Sequence, residues 1–272
     1  MTVDAHVHLW NRATDPQPWI DPRTMAAIDR DFSYADLVRM LDETGTSSAV
    51  VVQAGNRMAE TVRLLDDPGR RIAGVVGWID LTADVDAQLG MLAAGARQSL
   101  VGLRHLVHVD PDPDWLARPD VGAALDELGR RGLCFDLVLR SWQLPLAAKV
   151  AEARPGTRFV LDHLGGIAET TDDDAWATGL RVLAAHPHVY AKVSGLAGLV
   201  NDPERLRRII GVAVEAFGPD RLMYGSDWPM ARLGAGPVPW REAVDEMIAG
   251  LSAGERHAIT SRTARTCYRL SS

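Results

Sequence analysis

Val3-Asp4-Ala5-His6-Val7-His8-Leu9-Trp10 alternates small or branched apolar residues with polar ones. A period of two is the period of a strand, whose successive side chains point to opposite faces. Asp4, His6, His8 and Trp10 are therefore expected on one face, and Val3, Ala5, Val7 and Leu9 on a face packed against helices. Seven further runs with strand character follow at intervals: Ser48 to Ala54, Ile72 to Ile79, Val101 to Val107, Cys134 to Leu139, Arg158 to His163, Val189 to Val193 and Leu222 to Ser226.

The segments between them carry helical spacing. Leu37, Met40 and Leu41 form one apolar stripe, Leu180, Leu183 and Ala184 another, and Leu206, Ile209, Ile210 and Val214 a third. Pro119-Asp120 opens one helix and Gly132 follows it; Pro155-Gly156 closes the next. A terminal helix over Ser252 to Leu270 begins at a Ser252/Glu255 capping box. Eight strands alternating with helices predict an α/β fold of the closed (β/α)8 TIM barrel type, a single domain over residues 1–272. The 272 residues suit one such barrel, for which about 250 are typical. No GxGxxG follows the first strand, which argues against a doubly wound dinucleotide fold. The irregular stretch Trp10 to Phe32 becomes the first βα loop, at the barrel end where active sites sit.

Composition narrows the partners. Hydrophobic residues at 47% and charged residues at 24% exclude a disordered chain. A net charge of -7 supplies no basic face for nucleic acid, and a small-molecule substrate is expected instead. No apolar run is long enough to span a bilayer, so no membrane partner is expected. The start at Met1 lacks the pattern of a signal peptide. Cys134 and Cys267 are the only cysteines and have no CxxC spacing, which predicts neither a disulfide framework nor a structural zinc cluster. A reducing, cytoplasmic location is the expectation. The oligomeric state is not legible.

The candidate chemistry lies at three strand ends. His6 and His8 share the inner face of strand one, where two imidazoles are costly to bury without partners. Phe159-Val160-Leu161-Asp162-His163-Leu164-Gly165-Gly166 ends strand six with a histidine. Leu222-Met223-Tyr224-Gly225-Ser226-Asp227-Trp228-Pro229 ends strand eight with a carboxylate. Strands one and eight are neighbours in a closed barrel, so Asp227 is expected beside His6 and His8. These four residues suggest a metal site or a catalytic cluster.

The same residues resemble a known family. Asp4-Ala5-His6-Val7-His8-Leu9-Trp10, Asp162-His163-Leu164-Gly165 and Tyr224-Gly225-Ser226-Asp227-Trp228-Pro229 are similar to motifs of the amidohydrolase superfamily. They resemble in particular its amidohydrolase-2 branch, which includes sugar-acid lactonases and the pyrone-dicarboxylate lactonase. Pro18-Trp19-Ile20, Arg30-Asp31-Phe32, Gly102-Leu103-Arg104-His105 and Lys192-Val193-Ser194-Gly195-Leu196 extend the similarity over nearly the whole chain. Metal-dependent members of the superfamily usually add a lysine or glutamate on strand four and a histidine on strand five. Here strand four offers His105 and His108 but no lysine, and strand five has Asp136 and no histidine. The resemblance to lactonases implies hydrolysis with no required metal. His6, His8, His163 and Asp227 remain the set that would hold a single divalent ion such as zinc.

On this reading the chain is a hydrolase opening a small sugar-acid or carboxylated lactone. Asp227 takes the proton of water and returns it to the leaving oxygen, and His6, His8 and His163 polarise the carbonyl. Burial would raise the Asp227 pKa and nearby imidazolium would lower it. Arg104, His108 and Arg140 are candidates for substrate carboxylate or hydroxyls, and Trp10 and Trp228 for an apolar wall against the ring. Trp19 serves that wall or packs under the first loop. Arg104 has the alternative of pairing with Asp136 or Asp80, and Lys192 reads as a salt-bridge partner or a substrate contact. The competing readings are a zinc-dependent non-oxidative decarboxylase of a small carboxylated substrate and a non-catalytic barrel that binds a small molecule.

Overall fold

The computed structural model describes residues 1–94 and 96–271. Eight parallel strands follow one another in the order β1 (Val3–Val7), β2 (Ser48–Val52), β3 (Ile72–Gly77), β4 (Leu100–His105), β5 (Cys134–Leu137), β6 (Arg158–Leu161), β7 (Val189–Val193) and β8 (Leu222–Tyr224). Beyond the strands proper, Asp227 N donates to His6 O at 2.9 Å and His8 N to Trp228 O at 2.7 Å. These bonds join the first strand end to the last, so the barrel closes where the sequence puts its candidate chemistry. The helices α1 (Tyr34–Glu43), α2 (Met58–Leu65), α3 (Val85–Ala93), α4 (Pro119–Arg131), α5 (Leu144–Ala153), α6 (Asp173–Ala184), α7 (Pro203–Phe217) and α8 (Pro237–Met247) each follow the strand of the same number. The architecture is the (β/α)8 barrel.

Local signals explain several boundaries. Ser33 and Asp36 form a reciprocal capping box at the start of α1. Pro119 opens α4, and Gly132 ends it in the left-handed conformation at φ 72°. The stripes Leu37-Met40-Leu41, Leu180-Leu183-Ala184 and Leu206-Ile209-Ile210 are buried against the outer strand residues, while Val214 is only partly buried. A second core fills the barrel itself. Val3, Ala5, Val50, Val52, Cys134, Val160 and Met223 pack there with Ala264, Cys267 and Tyr268. The C-terminal helical run thus plugs the N-terminal end of the barrel. Its Ser252/Glu255 capping box is present, and a π-turn at Ala258–Arg262 interrupts the continuous helix expected from the sequence.

Most of the strands end earlier than their apolar runs suggest, because the chain peels away at the mouth to form loops. Strict alternation also fails in β1. Its pairing register with β2 shifts between Asp4 and Val7. Ala5 packs in the inner cluster, and the next residue, His6, also faces inward, against Lys192 and Asp162. Asp4 is therefore no partner of the histidines in the site. Its Oδ1 accepts from His6 N at 3.1 Å and Ser226 N at 2.9 Å, which pins the two strand ends together.

Candidate active site

A cavity of about 580 Å³ opens at the C-terminal ends of the strands. His8, His163, Asp227, Arg104, His108 and Arg140 all contribute to its lining. Six predicted residues therefore do converge. His6 belongs to the same cluster but lies one layer deeper, fully buried, with Nε2 3.2 Å from His8 Nε2 and 3.7 Å from Asp227 Oδ1. His8 Nδ1 donates to Val52 O at 2.8 Å, which leaves His8 Nε2 as the nitrogen 3.4 Å from Asp227 Oδ1.

His163 does not end a strand. It sits in a tight turn at φ 53°, in the left-handed region that a residue with a side chain enters only under constraint. Its Nδ1 shares a hydrogen bond of 2.9 Å with Ser194 Oγ. Gly195 makes this placement feasible: at φ 69°, a Cβ there would come within 2.6 Å of His163 Nδ1. Asp227 also has a positive φ, 57°. Two of the proposed reactive residues thus occupy strained backbone positions at the mouth.

Electrostatics separates the roles. Burial raises the Asp227 pKa, but the neighbouring His163, His8 and His6 rings outweigh it and set the group at about 2. The sequence left the direction open; it is downward. Burial lowers His6 well below its ordinary value and lowers His8 as well. Neutral imidazoles facing an ionised carboxylate are the protonation states a divalent ion requires. His6, His8 and Asp227 have ligand atoms close enough to hold one ion, as do His6, Asp162 and His163. Asp227 Oδ1 is buried without a hydrogen-bond donor among the described residues. The residues present therefore fit a single metal.

Several expectations need correction. Trp10 and Trp228 do not form a wall. They are 1% and 3% exposed and pack edge-on against Phe32 beneath the first loop. Trp19 lines the cavity instead, backed by Trp10. Arg104 pairs with neither Asp136 nor Asp80; its Nη1 donates to Asp162 Oδ2 at 2.9 Å and its Nη2 to Gln53 O. Arg140 is engaged by Glu169. His108 reaches the cavity from a turn after β4 rather than from the strand, and burial, with Arg104 next, lowers its pKa to about 4.

Beneath lies a layer that the sequence reading touched only at Lys192, expected as a salt-bridge partner and found as one. Lys192 Nζ lies 2.5 Å from Asp136 Oδ2, 2.9 Å from Asp162 Oδ1 and 3.1 Å from His6 Nδ1, all fully buried. Tyr268 donates to the Asp136 carboxylate from the C-terminal plug. Burial pushes Asp136 up to about 6, whereas Lys192 and His6 outweigh burial at Asp162 and hold it well below the usual carboxylate range. The signal was available in the strand parity, since Asp136, Asp162, Lys192 and Ser194 all occupy inward positions.

The fold and this site define an amidohydrolase-type barrel, and comparison with known proteins agrees. A family model described as amidohydrolase matches residues 3–270, and the chain belongs to that family. The chain is 35% identical to an L-fucono-1,5-lactonase of Burkholderia ambifaria, over 85% of this chain and 81% of that one. It is 32% identical to an L-fucono-1,5-lactonase of Burkholderia multivorans over 99% and 96%. A crystal structure of an amidohydrolase from Burkholderia multivorans with bound zinc superposes with a TM-score of 0.90 at 33% identity, covering all of both chains.

Proposed function

We propose that the protein is a lactonase that opens a small, uncharged sugar lactone. The observation that carries this reading is Asp227 Oδ1, ionised, buried beside His6 and His8 and without a donor among the described residues, on a side chain that still reaches the cavity (13% exposed). Such an oxygen is suited to orient a water and accept its proton. The water oxygen bonds to the lactone carbonyl carbon, and Asp227 takes the proton. His163 borders the same cavity and is placed to stabilise the negative carbonyl oxygen, whereas His8, whose N–H is held by Val52 O, turns an acceptor nitrogen to the site. The ring C–O bond then breaks, and the proton on Asp227 passes to the leaving oxygen. A carboxyl with a pKa near 2 stays ionised between turnovers and releases a captured proton readily to an alkoxide. His6 holds His8 and Asp227 from below, because full burial keeps it from the substrate.

The substrate class follows from the lining. Both arginines in it already face carboxylates, Arg104 with Asp162 and Arg140 with Glu169. Trp19, Met25, Leu106, Val109 and Met230 supply an apolar wall. A neutral aldonolactone with a deoxygenated face fits this better than a dicarboxylated pyrone, and the names of the two Burkholderia relatives support the same choice. His6, His8 and Asp227 would hold a zinc ion, which when bound supplies Lewis-acid polarisation and a more acidic water. The steps above use the chain's own groups, and we propose that no metal is required.

The experiment is an acid-release assay over neutral aldono-1,5-lactones, L-fucono-1,5-lactone included, and carboxylated lactones, with and without chelator. Turnover of the neutral lactones, unchanged by chelator and lost in Asp227→Asn, is expected. Zinc-dependent release of carbon dioxide from a carboxylated substrate would replace this reading with a decarboxylase. Silence across the whole panel would favour a binding barrel.

A further inference from the structure

His6 is the residue common to both sets of converging ligand atoms. Each of its ring nitrogens already faces a buried cation. Lys192 Nζ is 3.1 Å from Nδ1, and Arg104 Nη1 is 3.3 Å from Nε2. Each nitrogen also faces an acceptor: Asp162 Oδ1 lies 3.3 Å from Nδ1, and His8 Nε2 lies 3.2 Å from Nε2. Lysine and arginine can only donate. With the His6 proton on Nε2, pointing at His8, Nδ1 accepts from Lys192. With the proton on Nδ1, pointing at Asp162, Nε2 accepts from Arg104. Both tautomers are satisfied by the protein alone.

A metal ion needs a lone pair of His6 and must take it from one of these cations. Binding through Nε2 displaces the Arg104 contact and turns an N–H of His6 toward Lys192. Binding through Nδ1 displaces Lys192 itself. The charge count points the same way. Lys192 and Arg104 balance Asp136 and Asp162, two against two, so this buried layer is neutral as it stands, and within the cluster the Asp227 carboxylate would offset only one of a divalent ion's two charges. Extra positive charge in a buried, neutral layer is costly.

We propose that Lys192, with Arg104, is a resident cation that holds His6 in place of a metal and keeps the metal affinity of the His6–His8–Asp227 cluster low. Lys192 is a positioning residue on this view, acting through His6. The inference concerns zinc affinity and not turnover, so it can fail while the lactone reading stands, and the reverse.

The test is a zinc titration of the metal-free full chain in competition with a chromophoric chelator. The wild-type protein is expected to bind zinc at about micromolar affinity or weaker. Lys192→Met should bind zinc at least about tenfold more tightly. Lys192→Met/Asp136→Asn keeps the layer neutral if the single variant does not fold, and it should tighten too, because Lys192 touches His6 and Asp136 does not. Asp136→Asn alone should not tighten. A merely structural lysine would weaken the site on removal, so a gain is diagnostic. Nanomolar zinc binding by the wild type, or unchanged or weaker binding in either folded lysine variant, overturns the proposal.

Discussion

The eight strands build two unlike layers inside one barrel. Toward their N-terminal ends the inward residues are Val3, Ala5, Val50, Val52, Cys134, Val160 and Met223, closed by Ala264, Cys267 and Tyr268. Toward their C-terminal ends they are His6, Arg104, Asp136, Asp162 and Lys192, all buried, with Arg104 Nε lacking a partner among the described residues. The change happens within one alternate step, from Cys134 to Asp136 on β5 and from Val160 on β6 to Asp162 just past its end. That is a rise of only about 7 Å along each strand. The apolar layer holds the barrel shut, and it lets the charged layer be arranged for chemistry instead of stability.

If the layers divide the work in this way, damage to each should read out differently. The largest effect is expected from Asp227→Asn. The variant should lose about 10²–10⁴-fold in kcat against a lactone. Its melting temperature should fall by only a few degrees, since the surroundings that hold the Asp227 carboxyl at about 2 favour the charge that is lost. A collapse of stability would mean that Asp227 is part of the frame. The converse variant is Met223→Ala in the apolar layer, where the side chain is fully buried. Denaturant unfolding should show a loss of about 2–5 kcal/mol, from transfer and cavity terms together. The kcat/KM of the folded fraction should change little; a large fall would show that the lower layer sets the site directly.

The strand frame was far easier to read from sequence than either inward layer: Val3 and Ala5 were expected against the helices and pack inside the barrel instead. Strand order, barrel closure and the meeting of His6, His8, His163 and Asp227 followed from alternation and from the adjacency of the first and last strands. What escaped has physical causes. The register shift in β1 puts both Ala5 and His6 inward, which no strict period of two can express. His163 stands on a left-handed turn, so its position depends on Gly195 and Ser194 from another strand. Trp10 was expected at the cavity, but its indole donates to Arg30 O and packs against Phe32 beneath the first loop. Tyr268 meets Asp136 across 132 residues of sequence, and nothing local marks that contact. Lys192 was legible as a salt-bridge partner, but its partners Asp136 and Asp162 come from two other strands, and no single strand's pattern pairs them.

Tyr268 spans the two layers, and it sharpens the division. Its hydroxyl lies 2.9 and 2.8 Å from the two Asp136 oxygens. Tyr268→Phe should cost about 1.5–3 kcal/mol, as expected for a hydrogen bond to a charged group. Because Asp136 touches Lys192 and Lys192 touches His6, a few-fold loss in kcat with KM unchanged is expected as well. A stability loss with kinetics wholly untouched would show that the layers do not communicate through this path.

The subtlest readout is expected at Glu60, at the rim of the mouth. Its carboxylate is fully buried and accepts from Ala54 N and Gly55 N at 2.6 and 2.9 Å, tying the loop after β2 to α2. Burial pushes its pKa from 4.5 up to about 7, outweighing those hydrogen bonds. The folded protein therefore binds more protons than the unfolded chain between these two values. Its contribution to stability is fully present below about pH 4.5 and is lost as pH rises through 7. Other buried groups titrate nearby, so the useful quantity is a difference between two proteins. The unfolding free energy of the wild type should fall more steeply from pH 4.5 to 7 than that of Glu60→Gln, with parallel curves above and below. Parallel curves throughout would mean that Glu60 stays ionised, held by Arg57 and the two amides, and that the rim resembles the charged layer beneath the cavity more closely than its burial suggests.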